Sequence, residues 1–138
     1  MRAIKFNFPD HYSILERWWN EHPEWEPVPP ALLPASGFMI KADQGHFVAA
    51  GFIYFTNSAL VSFEWIVSNP SSDKKERSKA LDLLFKEMLA SVPNGKAILS
   101  YVSNDSLIKR FKDNGFTEND KGMTGLMKVL PPKSVLDR

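Results

Sequence analysis

The chain has 138 residues, 43% apolar and 24% charged, with 17 basic and 16 acidic side chains and no cysteine. That length and composition suit one domain spanning 1–138 and exclude wholesale disorder, while the missing cysteines exclude disulfides, thiolate metal sites and a cysteine nucleophile. A net charge of +1 gives no footprint for nucleic acid or membrane, and neither a signal peptide nor a stretch of ~20 apolar residues is visible, so a cytoplasmic protein is expected.

Ile4, Phe6 and Phe8 share one face of an alternating segment, expected as a first strand over 3–8. Pro9 and Asp10 read as a helix start with Asp10 as N-cap; Ile14, Leu15, Trp18 and Trp19 keep helical spacing until Pro23. Residues 23–36 form a connector carrying Pro23, Pro27, Pro29, Pro30 and Pro34. Such a segment is extended and semi-rigid, and Leu32 and Leu33 are expected to pin it to the domain.

Three strand-like runs follow, 37–42, 47–56 and 59–67, separated by the turn residues 43–46 and 57–58. They predict an antiparallel meander. Gly51 falls inside the second run, where a glycine marks a bulge or close packing. After the break at 69–73, a helix is expected over 74–91, with Ala80, Leu81, Leu83, Leu84, Met88 and Leu89 as its apolar stripe. A strand over 97–102, a helix over 105–114 and a last strand over 122–130 complete the chain. This order predicts an α/β (α+β) fold: a mixed, mostly antiparallel sheet with helices on both faces.

The segment from Asn104 to Phe116 reads as an asparagine, a short amphipathic helix and a Gly-Phe stop. Asn104 can cap the helix, and Gly115 can take a positive φ just past its end. With the element order, this pattern resembles the GCN5-related N-acetyltransferase (GNAT) family over residues 37–130. A looser likeness joins the chain to small acetyltransferase-like proteins of bacteria and their phages. Phe111 occupies the position where the family commonly carries a tyrosine. Lys75-Glu76-Arg77-Ser78-Lys79-Ala80 aligns with the family's phosphate-binding turn, with Lys75 in place of Arg or Gln and Ser78 in place of the first glycine.

The resemblance implies acetyl-coenzyme A as co-substrate, no metal, and direct transfer of the acetyl group to a primary amine of a small molecule or protein. It assigns the pyrophosphate to the backbone at residues 75–80. It sets Ile66 and Val67 beside the thioester, with the Val67 amide polarising the carbonyl, and Asn104 and Phe111 along the pantetheine and thiol. An acceptor pocket would include Glu21, Glu24 and Trp25. Partners beyond these are not implied, although a homodimer is compatible.

Glu64 is the candidate general base. Between Phe63 and Trp65, desolvation would raise its pKa towards a useful value; the bland reading is a solvated carboxylate or one paired with a neighbouring strand's base. Phe111 cannot act as an acid. Tyr54 or Tyr101 could replace it, or the thiolate could leave unaided. His22 and His46 have no metal-ligand spacing, and His46 reads as a solvated turn residue beside Asp43. The rival function is a catalytically weak or inactive module that recognises a partner protein through its Trp/Pro-rich region, with Trp18, Trp19 and Trp25 exposed as a patch.

Overall fold

The computed structural model describes residues 1–132. In chain order they form β1 (Arg2–Lys5), α1 (Tyr12–Asn20), a single 3-10 turn (Pro30–Leu32), β2 (Gly37–Lys41), β3 (Phe47–Phe55), β4 (Leu60–Ser68), α2 (Lys74–Ala90), β5 (Ala97–Leu99) and α3 (Asp105–Asp113). Two compact units result: Met1–Val102 holds the sheet, α1 and α2, and a second unit begins at Ser103 and holds α3.

The five strands lie in sequence order, β1-β2-β3-β4-β5. All neighbours are antiparallel except β4 and β5, which run parallel because α2 carries the chain back between them. Side chains that alternate along β3 meet different helices. Ala50 and Phe52 join Met39 and Val67 in a buried cluster with Leu15, Trp18 and Trp19 of α1. Gly51 turns the other way: a Cβ there would stand 2.8 Å from Met88 Sδ and 3.2 Å from Leu84 Cδ2, so α2 presses directly on the strand. One helix therefore covers each face, as the α/β expectation required.

Three expectations are corrected. Phe8 does not continue the core face of β1, because the strand ends at Lys5 and the Phe8 ring is exposed. Asp10 is not the N-cap of α1; His11 occupies that position without a side-chain cap. Residues 122–130 form no strand. Gly122 has a φ of +66°, which breaks extended geometry, and Leu126, Met127, Val129 and Leu130 are exposed.

In the second unit the capping expectation holds. Asn104 Oδ1 accepts the Leu107 amide at 3.0 Å, and Gly115 has a φ of +91°. Phe111 is buried and meets Phe116 edge-on with ring centroids 4.9 Å apart.

Candidate active site

The site begins with an irregularity in the β3–β4 ladder. Phe52 pairs with Glu64 and Ala50 pairs with Val67, so the single residue Gly51 faces both Trp65 and Ile66. This is a β-bulge on β4. Trp65 carries it at φ 57°, the only positive φ at a non-glycine position among the described residues. Left-handed backbone is uncommon for a bulky side chain and persists only where its surroundings over-determine it.

The surroundings do so. Ile66 takes the α2 side, with Cγ1 3.3 Å from the place of a Gly51 Cβ. Trp65 Nε1 donates to Tyr54 Oη at 2.7 Å, and the Tyr54 hydroxyl donates to the Leu32 carbonyl. Tyr54 sits opposite Ser62, and Phe52 opposite Glu64. Cross-strand partners share a face, so Tyr54, Ser62 and Glu64 project together, and the bulge adds Trp65 to them.

Glu64 is half-buried within that group, and Ser62 Oγ donates to its Oε1 at 2.6 Å. Burial raises the Glu64 pKa above the ordinary carboxylate value, and the Ser62 hydroxyl draws it partly back down. The nearby Glu64 charge adds to the burial that raises the Tyr54 hydroxyl, whose bond from Trp65 opposes the rise.

Among the described residues β4 pairs with β5 only from Leu60 to Ser62, against Ala97 to Leu99. Glu64 to Ser68 lie beyond that last pair, so the two parallel strands part beside the bulge. Ser100 Oγ marks the parting by donating to the Phe63 carbonyl at 2.6 Å. Val67 is buried and in register with Ala50. The residues that a two-for-one bulge leaves out of regular pairing are Trp65 and Ile66.

The helix α2 opens at Lys74, so the stretch 75–80 lies within its first two turns. Asp73 is the N-cap; its Oδ1 accepts the Glu76 amide at 2.7 Å and its carbonyl accepts the Arg77 amide at 3.0 Å. Of the residues expected at the pyrophosphate, Lys75 and Glu76 occupy opening positions whose amides lack an intrahelical backbone acceptor, and the Asp73 side chain takes the Glu76 amide. The Lys74 amide also lacks a backbone acceptor, outside the expected stretch. Ser78, Lys79 and Ala80 are a turn further in, and Ala80 is fully buried. The Glu76 side chain pairs with His46, which is therefore not a purely solvated turn residue. The spacing Asp73-x-x-Glu76 carried the signal for this start, since it matches a helix N-terminus with an acid at the third position.

The remaining candidates belong to other elements. Glu21 is the C-cap of α1, Glu24 is exposed, and Trp25 stacks on His22 with centroids 3.8 Å apart. Tyr101 is exposed. Asn104 and Phe111 belong to the second unit. Trp18 and Trp19 lie in the core, so they contribute nothing to an exposed tryptophan patch. Sequence reasoning missed Ser62 and the side-chain role of Trp65. Neither has a local signal, because both depend on the register of β3 against β4. Among the described residues no group of three His, Asp or Glu side chains could hold a metal ion, and no helix is long and apolar enough to cross a membrane.

No protein-family model and no curated protein matches the sequence. Solved structures do match in three dimensions. The ribosomal-protein-S18-alanine N-acetyltransferase of Escherichia coli superposes with a TM-score of 0.65 at 13% identity, over 86% of this chain and 79% of that one. A GNAT-family acetyltransferase from Streptococcus pneumoniae gives 0.61 at 14% identity, over 95% and 97%. The N-acetylglutamate synthase of Neisseria gonorrhoeae, solved with coenzyme A and N-acetyl-glutamate, gives 0.55 at 14% identity; the match covers 86% of this chain and 28% of that larger protein. The fold is that of the GCN5-related N-acetyltransferases.

Proposed function

We propose that the protein is an N-acetyltransferase that moves the acetyl group of acetyl-coenzyme A directly onto a primary amine. The observation that carries this reading is the Trp65 bulge, which sets a half-buried carboxylate beside the point where β4 leaves β5. Acetyl-coenzyme A supplies the acetyl group as a thioester; an N–C bond forms, the C–S bond breaks, and the sulfur leaves as a thiolate that takes up from water one proton, matching the one that the nitrogen loses. Glu64 takes a proton from the ammonium, which frees the lone pair that attacks, or from the nitrogen once the N–C bond has formed, directly or through water, and its raised pKa makes it a stronger base than an exposed glutamate. The amides of Trp65 and Ile66, set off from the β3 ladder, are the donors for the negative charge that develops on the carbonyl oxygen. Val67, in register with Ala50, serves mainly to anchor them.

The residues at the start of α2 fit a pyrophosphate. Lys74 and Lys75 combine amides at a helix N-terminus with exposed ammonium groups, although the Asp73 carboxylate opposes an anion there. Glu21, Glu24 and Trp25 would attract a basic acceptor from the end of α1, rather than touch the reacting atoms.

Thermal unfolding with acetyl-coenzyme A, with coenzyme A and without ligand tests the reading. Ligand at ~100 times its dissociation constant should stabilise the fold by about 2.7 kcal/mol. No shift at millimolar ligand would overturn it and favour the partner-binding alternative, for which Trp25, 45% exposed, is the remaining anchor in the Trp/Pro-rich region.

A further inference from the structure

We propose that Trp65 selects the acceptor: its indole forms a plate beside Glu64 for the flat or apolar substituent of an arylalkylamine, and Tyr54 is the positioning residue that holds the plate. This rests on the acetyl-transfer reading and names the substrate class of that same site.

Simple alternation would send Trp65 to the α2 face, away from Glu64. The extra residue of the bulge instead brings the indole to the side where Tyr54 and Ser62 stand opposite each other. There the indole N–H is spent on Tyr54, whose own proton is spent on Leu32. The polar edge of the ring is thus satisfied and its orientation fixed. Trp65 nevertheless remains 36% exposed, next in sequence to a half-buried carboxylate.

An amine that brings its nitrogen to Glu64 must lay its substituent near this ring. A flat or apolar group gains contact area and ring–ring attraction there, and an ammonium gains from the indole face. A small amine without such a group gains only the carboxylate. Leu32 lies on the proline-stiffened connector at the 3-10 turn. Its bond to Tyr54 makes that connector the outer support of the plate.

The test compares 2-phenylethylamine with ethylamine, following thiol release from acetyl-coenzyme A and, separately, direct calorimetric binding of each amine to the coenzyme A-saturated and the free protein. The wild type should favour 2-phenylethylamine by about tenfold or more in KM or Kd, the factor that corresponds to ~1.4 kcal/mol of ring contact. Trp65→Ala should collapse that ratio towards one, and Trp65→Phe should keep most of it. Tyr54→Phe, which removes the hydroxyl and keeps the ring, should raise KM for 2-phenylethylamine with little change in kcat and none in coenzyme A affinity. A ratio near one in the wild type, or one that survives Trp65→Ala, overturns the proposal. If coenzyme A does not bind at all, the transfer reading fails, and the direct binding ratio still decides whether Trp65 holds an arylalkylamine.

Discussion

The Ser62 hydroxyl donates to Oε1 of Glu64 at 2.6 Å, two residues along the same face of β4. The bond holds a half-buried carboxylate in one rotamer and favours its charged form, while burial favours the neutral one. Burial is the larger influence, so the folded pKa lies above the unfolded value. At pH values between the two, the folded chain keeps a proton that the unfolded chain has lost. The contribution of Glu64 to stability therefore declines as pH rises through that window and is fully present below it.

Replacing Glu64 tests both roles of this group. Glu64→Gln should flatten the decline of stability with pH in that window, measured by denaturant unfolding at a series of pH values. It should also lower turnover by about 10²-fold or more, the usual contribution of a positioned base, while leaving acetyl-coenzyme A binding nearly intact. Turnover equal to that of the wild type across pH would remove Glu64 from the mechanism.

Ser62→Ala removes the donor that favours the carboxylate. The Glu64 pKa should rise further, so the ascending limb of the pH–rate profile should move to higher pH with its plateau largely kept. A profile that does not move would show that the hydroxyl has no influence on the base.

Asp73 separates capping from charge. Asp73→Ala should destabilise the protein by ~1 kcal/mol, the usual cost of losing an N-cap. Asp73→Asn keeps an oxygen for the Glu76 amide and removes the negative charge beside Lys74 and Lys75. It should stay close to wild-type stability and bind coenzyme A more tightly, with the gain shrinking as salt is added. Weaker binding by Asp73→Asn in low salt would place the pyrophosphate elsewhere.

Two glycines should differ in their tolerance of a methyl group. A Cβ at Gly37 would meet Phe52 Cδ1 at 2.5 Å and Cε1 at 2.6 Å, on a rigid ring with no exposure. At Gly51 the nearest atom is the Met88 sulfur at 2.8 Å, on an unbranched chain that can adjust. Both alanine variants should lose stability, Gly51→Ala by about 1–3 kcal/mol and Gly37→Ala by more, read from denaturant midpoints. The reverse order would mean that the Phe52 ring has more room than its burial suggests.

Much of the architecture was legible in residue patterns. The meander, the long helix and the Asn104–Gly115 cap pair all fall close to their expected bounds, because turn residues and helical periodicity are local signals. The expected strand over 122–130 failed for a nonlocal reason: alternation supplies a face, but a strand forms only against a partner, and Gly122 turns the chain out of extension. The start of the long helix agrees with the expected bound, because the Asp73 side chain decides where the helix begins.

For the candidate site the division is sharper. The sequence by itself determined that Glu64 lies in an apolar strand and that positive charge gathers at the start of the following helix. Alternation could not decide which face Trp65 takes. Only the tertiary structure decided that, because the bulge arises from fitting Gly51 of β3 beneath α2 while Ala50 and Phe52 keep their partners on β4. The left-handed backbone of Trp65, its bond to Tyr54 and the link to Leu32 follow from that packing. They join residues 32, 54 and 65, whose proximity is set by strand register rather than by any spacing along the chain.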